Sequence, residues 1–371
     1  MKFNIQSKLL LARLSAVSKV VNSKNKLTIL DNFLFNLEGD KLVITGSDQE
    51  NTLTTYVQVE DAEGSGKFAG NVKNLLDMLR TLPDLALTFE VNEESLEINI
   101  RYHNGHFNFV GINGNEFPSK SVTDEEPKKF KLPVAKVVEG LQRTIFAVGV
   151  DDMRPVMMGI FLDIKPQEVV FVASDTHKLV RYRKLNIETG LEHSFIMPTK
   201  PASILGSILE KAEGDIEITM DSKSATFETA DYSLTCRFVN GRYPNYNSVI
   251  PTNNPYNLTV DRMSLLNALR RVAVFTSSSG LVRLELKENE IKLSTQDIDY
   301  STSAEEIVQC EYNGEEMAIG FNDEHIIDVL NNINAETIVM KLMDASKAGV
   351  FVPVEQNDDE ELLTLLMPMM L

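Results

Sequence analysis

The chain has only two cysteines in 371 residues, too few for a disulfide framework or a zinc cluster. Cys236 and Cys310 sit in stretches that read as strands, LTCRF and IVQCEY, so both are expected to be reduced, buried thiols. Long apolar runs are missing too. No segment of about 18 consecutive apolar residues occurs, and the opening MKFNIQSK has no apolar leader core. Neither a membrane span nor a signal peptide is expected, and the cytoplasm is the default compartment. Positive charge is scarce: 36 Lys and Arg stand against 54 Asp and Glu, a formal net charge of −18. Spread evenly, that charge would exclude nucleic acid as a partner, because phosphate binding is driven by basic residues. The distribution of charge therefore decides the matter.

What is present is enough apolar material, 43% of residues, for two or three well-packed domains. An internal repeat says three. Each third opens with a strand that runs into a helix: FNIQSKLLLARLSAVSKVV from Phe3, FKLPVAKVVEGLQRTIFAVG from Phe130, and LTVDRMSLLNALRRVAVF from Leu258. A strand pair follows and closes on an aspartate, in LVITGSD at Asp48, VVFVASD at Asp175 and IKLSTQD at Asp297. A short strand and a second amphipathic helix come next, in FAGNVKNLLDMLRTL, FIMPTKPASILGSIL and AIGFNDEHIIDVLNNI. Each third ends in strands followed by Phe117-Pro118, Tyr243-Pro244 or Met367-Pro368. The order of landmarks predicts homologous domains over 1–125, 126–253 and 254–371, with linkers at 121–129 and 250–257. Alternation at Leu42, Ile44 and at Leu96, Ile98, Ile100 predicts antiparallel sheet, so the fold class is α+β.

On a 3.6-residue wheel the first helix of each third separates its faces. Leu10, Leu14, Val17 and Val21 oppose Lys8, Ala12, Ser15 and Lys19; Val134, Val138, Leu141 and Ile145 oppose Lys136 and Arg143, with Glu139 on the polar side; Leu265, Leu269, Val272 and Ala273 oppose Asn267, Arg270 and Arg271. Six helical segments together carry a surplus of basic residues, while the remainder of the chain is strongly acidic. That unevenness predicts one surface that attracts DNA and another that repels it. The last helix departs from the trend with Asp323, Glu324 and Asp328. No zinc spacing, helix-turn-helix or basic-aromatic stripe is present, so diffuse phosphate contact without base readout is expected.

Several segments carry a family resemblance: the MKF start, TILDNFLF, TGSD, VASDTHKL (172–179), FVNGRYPNYNSVIP (238–251), EEMAIGFND (315–323) and the terminal LMPMML. Through them the chain resembles, over essentially its whole length, the bacterial DNA polymerase III beta subunit, or beta sliding clamp, family. The resemblance implies a DNA clamp fold of three sheet-and-two-helix domains, paired as a head-to-tail ring homodimer with helices around a central hole. It implies a non-catalytic protein without cofactor or metal that encircles duplex DNA. Expected partners are the replicative DNA polymerase alpha subunit, the clamp loader and other clamp-binding-motif proteins among repair polymerases, mismatch repair and ligase, with no membrane.

The resemblance also implies sites. Lys8, Lys19, Lys24, Lys136, Arg143, Arg270 and Arg271 are expected to face DNA, with Lys24 in the loop after the first helix. A pocket for Gln-containing peptides with apolar anchors corresponds to Arg154, Met157, Ser174, Thr176, His177, Leu179, Pro244, Val249, Leu365, Met367, Pro368 and Met369. Phe107 is expected to pack against Val274 and Phe275 of a second copy. Pro155 and Val156 stand where tyrosines are frequent, Thr176 replaces a glycine and Met370 a penultimate arginine, departures that bear on peptide preference. Ser174, Asp175 and His177 superficially suggest a hydrolase, but a nucleophile also needs an orienting group and an oxyanion hole, and the equivalent turns of the other thirds have no His. A protein-binding scaffold without DNA would share the pocket and lack the basic helices. The acidic run EQNDDEELL (355–363) reads as a solvated loop.

Overall fold

The computed structural model describes residues 1–118, 126–297 and 299–371; the first part of the first expected linker and Ile298 lie outside them. Six α-helices occur among these residues: α1 (Ser7–Ser18), α2 (Val72–Thr81), α3 (Val134–Thr144), α4 (Thr199–Ile208), α5 (Arg262–Ala273) and α6 (Asp323–Asn332). Their starts follow from local chemistry. Asn71, Asp261 and Asn322 each sit at a strand end and accept a backbone N–H three residues on, from Asn74, Ser264 and His325. The acids of α6 have structural uses. Asp323 and Glu324 lie in its first turn, where the helix dipole favours negative charge, and Asp323 also accepts from the Thr276 hydroxyl at 2.6 Å. No helix among the described residues is long and apolar enough to cross a membrane.

The chain forms two compact units, Met1–Ala135 with Ser203–Phe238, and Lys136–Ala202 with Val239–Leu371. The first holds a five-stranded and a nine-stranded sheet, the second a twelve-stranded one, and every ladder is antiparallel. In the nine-stranded sheet the Asn51–Gln58 strand from the first third pairs directly with Tyr232–Arg237 from the second, setting Leu53 opposite Leu234. In the twelve-stranded sheet Lys178–Leu185 pairs in the same way with Glu360–Leu366, across seven residue pairs. Backbone ladders thus run unbroken between thirds.

The recurrent aspartate has a defined job just before each of these strands. Asp48, Asp175 and Asp297 each turn one carboxylate oxygen onto two backbone N–H groups of the following turn, those of Glu50 and Asn51, His177 and Lys178, and Asp299 and Tyr300. Two of these turns hold a side-chain residue in the left-handed region, Gln49 at φ 81 and Thr176 at φ 82.

Two expectations need correction. Leu96 does not continue the alternation of Ile98 and Ile100, because it closes a turn at φ 57 with its N–H on the Asn92 carbonyl at 2.9 Å. Cys236 is buried and its thiol is pushed up to about 12 by desolvation, but Cys310 is only half covered, although it shares a strand face with Val308 and Tyr312.

The core side of α3 is packed without slack. A Cβ on Gly140 would stand 2.4 Å from the ring of Phe171, which is itself buried in the sheet and has no room to retreat. Gly140→Ala would gain about 1 kcal/mol of helix propensity but incur about 1–3 kcal/mol of overpacking. The variant is expected to unfold at lower denaturant concentration than the parent, measured as a shift in urea midpoint.

Candidate functional site

The aspartate turn of the second third builds one wall of a groove. With the Asp175 oxygen holding the His177 and Lys178 amides, the Ser174 hydroxyl donates to the Lys178 carbonyl at 2.9 Å. The side chains that suggested a hydrolase are therefore committed to the turn: Ser174 to a carbonyl, Asp175 to amides and to Lys178 Nζ at 3.1 Å. His177 is exposed and leans on His325 of α6, ring centres 5.3 Å apart.

Beside the turn lies a cavity of about 320 Å³ with an almost wholly apolar lining. It brings together eight of the residues expected from sequence: Met157, Ser174, Thr176, Leu179, Pro244, Val249, Leu365 and Met367. Arg154, His177, Pro368 and Met369 are not in its lining. Arg154 is exposed and pairs with Asp151 at 3.5 Å, and the Met369 N–H is taken by the Gly320 carbonyl at 2.8 Å, which ties the tail to the Met317–Asn322 strand. Between them the Met367 N–H donates to the His177 carbonyl at 2.8 Å, so the chain end and the aspartate turn are stitched together. A second hollow of about 490 Å³ shares Val249 and Met367 with the first and adds Pro251, Asn254, Met343 and Ala348.

Sequence reasoning missed Lys178, Tyr243, Asn245 and Tyr246 in the cavity wall. Tyr243 stood in view as the repeat landmark before Pro244, where its counterpart is Phe117. Its ring stacks on Phe161 at 4.7 Å, and burial pushes its phenol above the ordinary range. The Tyr246 hydroxyl donates to Asp163 at 3.0 Å. Lys178 is buried, and its ammonium lies 3.1 Å from Asp175 and 3.2 Å from Asp328 of α6. It thereby holds α6 to the rim of the groove.

The basic candidates divide into two kinds. Lys8, Lys19, Lys24 and Arg270 are exposed, and the contacts of Lys8, Lys19 and Arg270 are with neutral groups: the Leu82 carbonyl, the Ser207 hydroxyl and the Asn331 amide oxygen. Lys136 and Arg143 are not free faces of α3, as the helical wheel implied. They are half-buried and meet acids, Asp359 at 3.3 Å and Glu139 at 3.7 Å. Arg271 is exposed but forms a two-pronged pair with Glu306.

The third group lies along strand edges. Phe107, on Gly105–Val110, is half-buried and stacks on Tyr102 at 5.6 Å; Val274 and Phe275, just past α5, are exposed. Gly105–Val110 pairs only with Glu97–Tyr102, and residues 302–309 pair only with Glu290–Asp297, so each leaves one edge without a second partner among the described residues.

His325 gives the rim a pH response. Burial lowers its pKa below the ordinary 6.5, and the nearby Lys178 and His177 push in the same direction against the opposing pull of Asp175 and Asp328. Between the depressed folded value and the unfolded one, the unfolded chain binds more protons, so stability is lost as pH falls through and below about 6.5. His325→Gln is expected to flatten this part of a stability profile measured by urea unfolding between mildly acidic and neutral pH.

Three models of the DNA polymerase III beta subunit match successive parts of the chain: the N-terminal domain over residues 1–121, the central domain over 131–245 and the C-terminal domain over 247–370. Among characterised proteins, the beta sliding clamp of Pseudomonas aeruginosa is 29% identical and that of Escherichia coli 27%, each over the full length of both chains. A crystal structure of the Pseudomonas aeruginosa DNA polymerase sliding clamp with ligand superposes with a TM-score of 0.93 at 29% identity, covering all of both chains. The Bartonella birtlesii sliding clamp, solved bound to griselimycin, also reaches 0.93, at 26% identity and full coverage of both chains.

Proposed function

The chain belongs to the DNA polymerase III beta subunit family, and from that premise we infer that it works as a DNA sliding clamp. It is a non-catalytic cytoplasmic ring that encircles duplex DNA and tethers the replicative polymerase and other proteins carrying a clamp-binding peptide. We read the chain as three clamp domains, over 1–125, 126–253 and 254–371.

One observation carries the ring. At both joints inside the chain, the strand after an aspartate turn pairs with the last hairpin strand of the next third: Asn51–Gln58 with Tyr232–Arg237, and Lys178–Leu185 with Glu360–Leu366. The remaining members of this series are Thr302–Tyr312, after Asp297, and Gly105–Val110, and they have the free edges. We read the third joint of the same kind as one made with another copy. Such head-to-tail contacts either close into a ring or grow into a filament. Apolar side chains mark the two edges, with Val110 and Phe107 on one and Ile307, Val274 and Phe275 on and beside the other. Closure would take this surface out of water, which favours it by about 25 cal/mol per Å² of apolar area.

Exposed cations on α1, α5 and the loop after α1 would meet phosphates, and the acidic remainder would keep DNA off the outer surface. The groove takes the partner peptide. Its apolar wall and its methionines at the chain end suit several related sequences, because unbranched thioether chains repack at low cost.

Loaded protein should stay on nicked circular DNA through gel filtration and be lost once the circle is linearised; equal retention on both would refute encirclement. Phe107→Ala and Phe275→Ala should each raise the monomer fraction in sedimentation at micromolar concentration, since truncating a buried aromatic anchor commonly costs more than about 2 kcal/mol. An unchanged dimer in both would put the joint elsewhere.

Deletion of residues 367–371 removes Met367 from both hollows and the tie from Met369 to Gly320. Binding of a Gln- and Leu-containing peptide, followed by fluorescence anisotropy, is expected to disappear while the dimer persists. Full peptide affinity after the deletion would place the groove elsewhere.

A further inference from the structure

The acidic run at 355–363 takes no part in the groove lining, yet its end reaches α3. Asp359 lies 3.3 Å from the Lys136 ammonium and 3.8 Å from that of Lys184. Lys184 is nearly buried and has two nearer acids, Glu360 at 2.8 Å and Glu139 at 3.2 Å. Glu360 is fixed further by the Tyr182 hydroxyl, which donates to it at 2.7 Å, and Glu139 also meets Arg143. Lys136, Arg143 and Lys184 are thus matched by Glu139, Glu360 and Asp359, and the basic face of α3 carries no net charge.

Within this cluster Asp359 is the exchangeable member. Lys184 is answered without it, and the Lys136–Asp359 pair sits at the rim, with side chains 28% and 38% exposed, where water and salt weaken an ion pair. A DNA phosphate offers the same chemistry as this carboxylate: an anionic oxygen for an ammonium. Lys8, Lys19 and Arg270 differ in meeting only neutral oxygens and keep their charge for an outside anion, whereas Arg271 of α5, like Lys136, meets an acid, Glu306.

We propose that Asp359 is an internal stand-in for a DNA phosphate, which occupies Lys136 and so weakens the grip of α3 on the duplex. The proposal rests on the reading that the first helix of each third faces DNA. A ring that must move along its track gains from fewer fixed phosphate contacts, and the acidic loop supplies that reduction without removing the lysine.

The test compares full-length parent, Asp359→Asn, Lys136→Gln, the double variant, and Asp358→Asn, whose exposed carboxylate gives the same change in net charge from the neighbouring position. Binding to a short duplex is titrated by anisotropy at several salt concentrations. Asp359→Asn is expected to bind about threefold more tightly at low salt, with a log-log salt slope steeper by about 0.9, the increment for one added phosphate contact. Adding Lys136→Gln should cancel the gain, and Asp358→Asn should not reproduce it. Unchanged binding by Asp359→Asn overturns the proposal, as does a gain that survives Lys136→Gln or is matched by Asp358→Asn. Lys8→Gln and Lys19→Gln serve as the control on the underlying reading: if neither weakens binding, the helices do not face DNA and the proposal falls with that reading. If they weaken it while Asp359→Asn is neutral, only the proposal fails. A urea midpoint for Asp359→Asn equal to the parent's shows that the pair acts on DNA rather than on folding, and a large drop makes Asp359 a structural clip and overturns the proposal.

Discussion

Everything in this chain leans on antiparallel pairing between strands that belong to different thirds of the sequence. A strand edge left in water is a template for any other edge, and soluble proteins blunt such edges or close them. Here two of three equivalent edges are satisfied internally, by Asn51–Gln58 against Tyr232–Arg237 and Lys178–Leu185 against Glu360–Leu366. Sheets of nine and twelve strands, larger than common domains build alone, are the direct result. The opposite end of the nine-stranded sheet shows the blunting strategy, because its terminal strand Lys128–Pro133 exposes Lys128, Lys129 and Lys131. Gly105–Val110 and residues 302–309 carry Phe107, Val110 and Ile307, the second edge together with Glu305 and Glu306.

The two internal joints use different side-chain chemistry on the same backbone pattern. At the first, Thr52 faces Thr235 and Leu53 faces Leu234. At the second, Arg181 and Arg183 reach Glu361, Arg183 reaches Glu168 at 2.6 Å, and Lys184 reaches Glu360. Partly buried pairs of this kind contribute little net stability once desolvation is counted, but breaking one member leaves an uncompensated charge and is costly. They therefore act more on register than on strength. A one-residue slip of Glu360–Leu366 would exchange its two faces and separate three cations from their carboxylates at once.

Much of this was legible in the sequence, and the departures have two causes. The three-fold repeat, the six helices and the aspartate turns are visible because period, capping and turn chemistry are local. One is a long-range encounter, and the other is a local turn or ion pair that parity and periodicity do not show. Lys136 and Arg143 lie on the polar side of α3, yet no helical wheel reveals that Asp359, far along the chain, will come to stand beside Lys136. Leu96 has the right parity for a strand but sits in a turn that Asn92 closes. Arg154 and Met369, expected at the pocket by likeness, lie outside the cavity lining, and what the structure shows of them is a local pair with Asp151 and a bridge to Gly320. Tyr246 escaped notice because a tyrosine in a loop rich in Asn and Pro carries no periodic signal, and only the tertiary fold shows it beneath the groove.

The groove and the fold are not separable features. Thr176 holds φ 82, a conformation that costs a β-branched residue on the order of 1–3 kcal/mol, and it persists because Asp175, Ser174 and Lys178 over-determine the turn around it. That same turn launches the strand that joins the second third to the third, and its His177 carbonyl receives Met367 at the far end of the partner strand. Under the proposed function, a peptide seated against Leu179, Leu365 and Met367 would touch both sides of a ladder rather than a loop of its own. Because the ladder builds the wall, a peptide bound there as proposed would need no ordering of that backbone, and adaptation would fall to the side chains of Met157 and Met367.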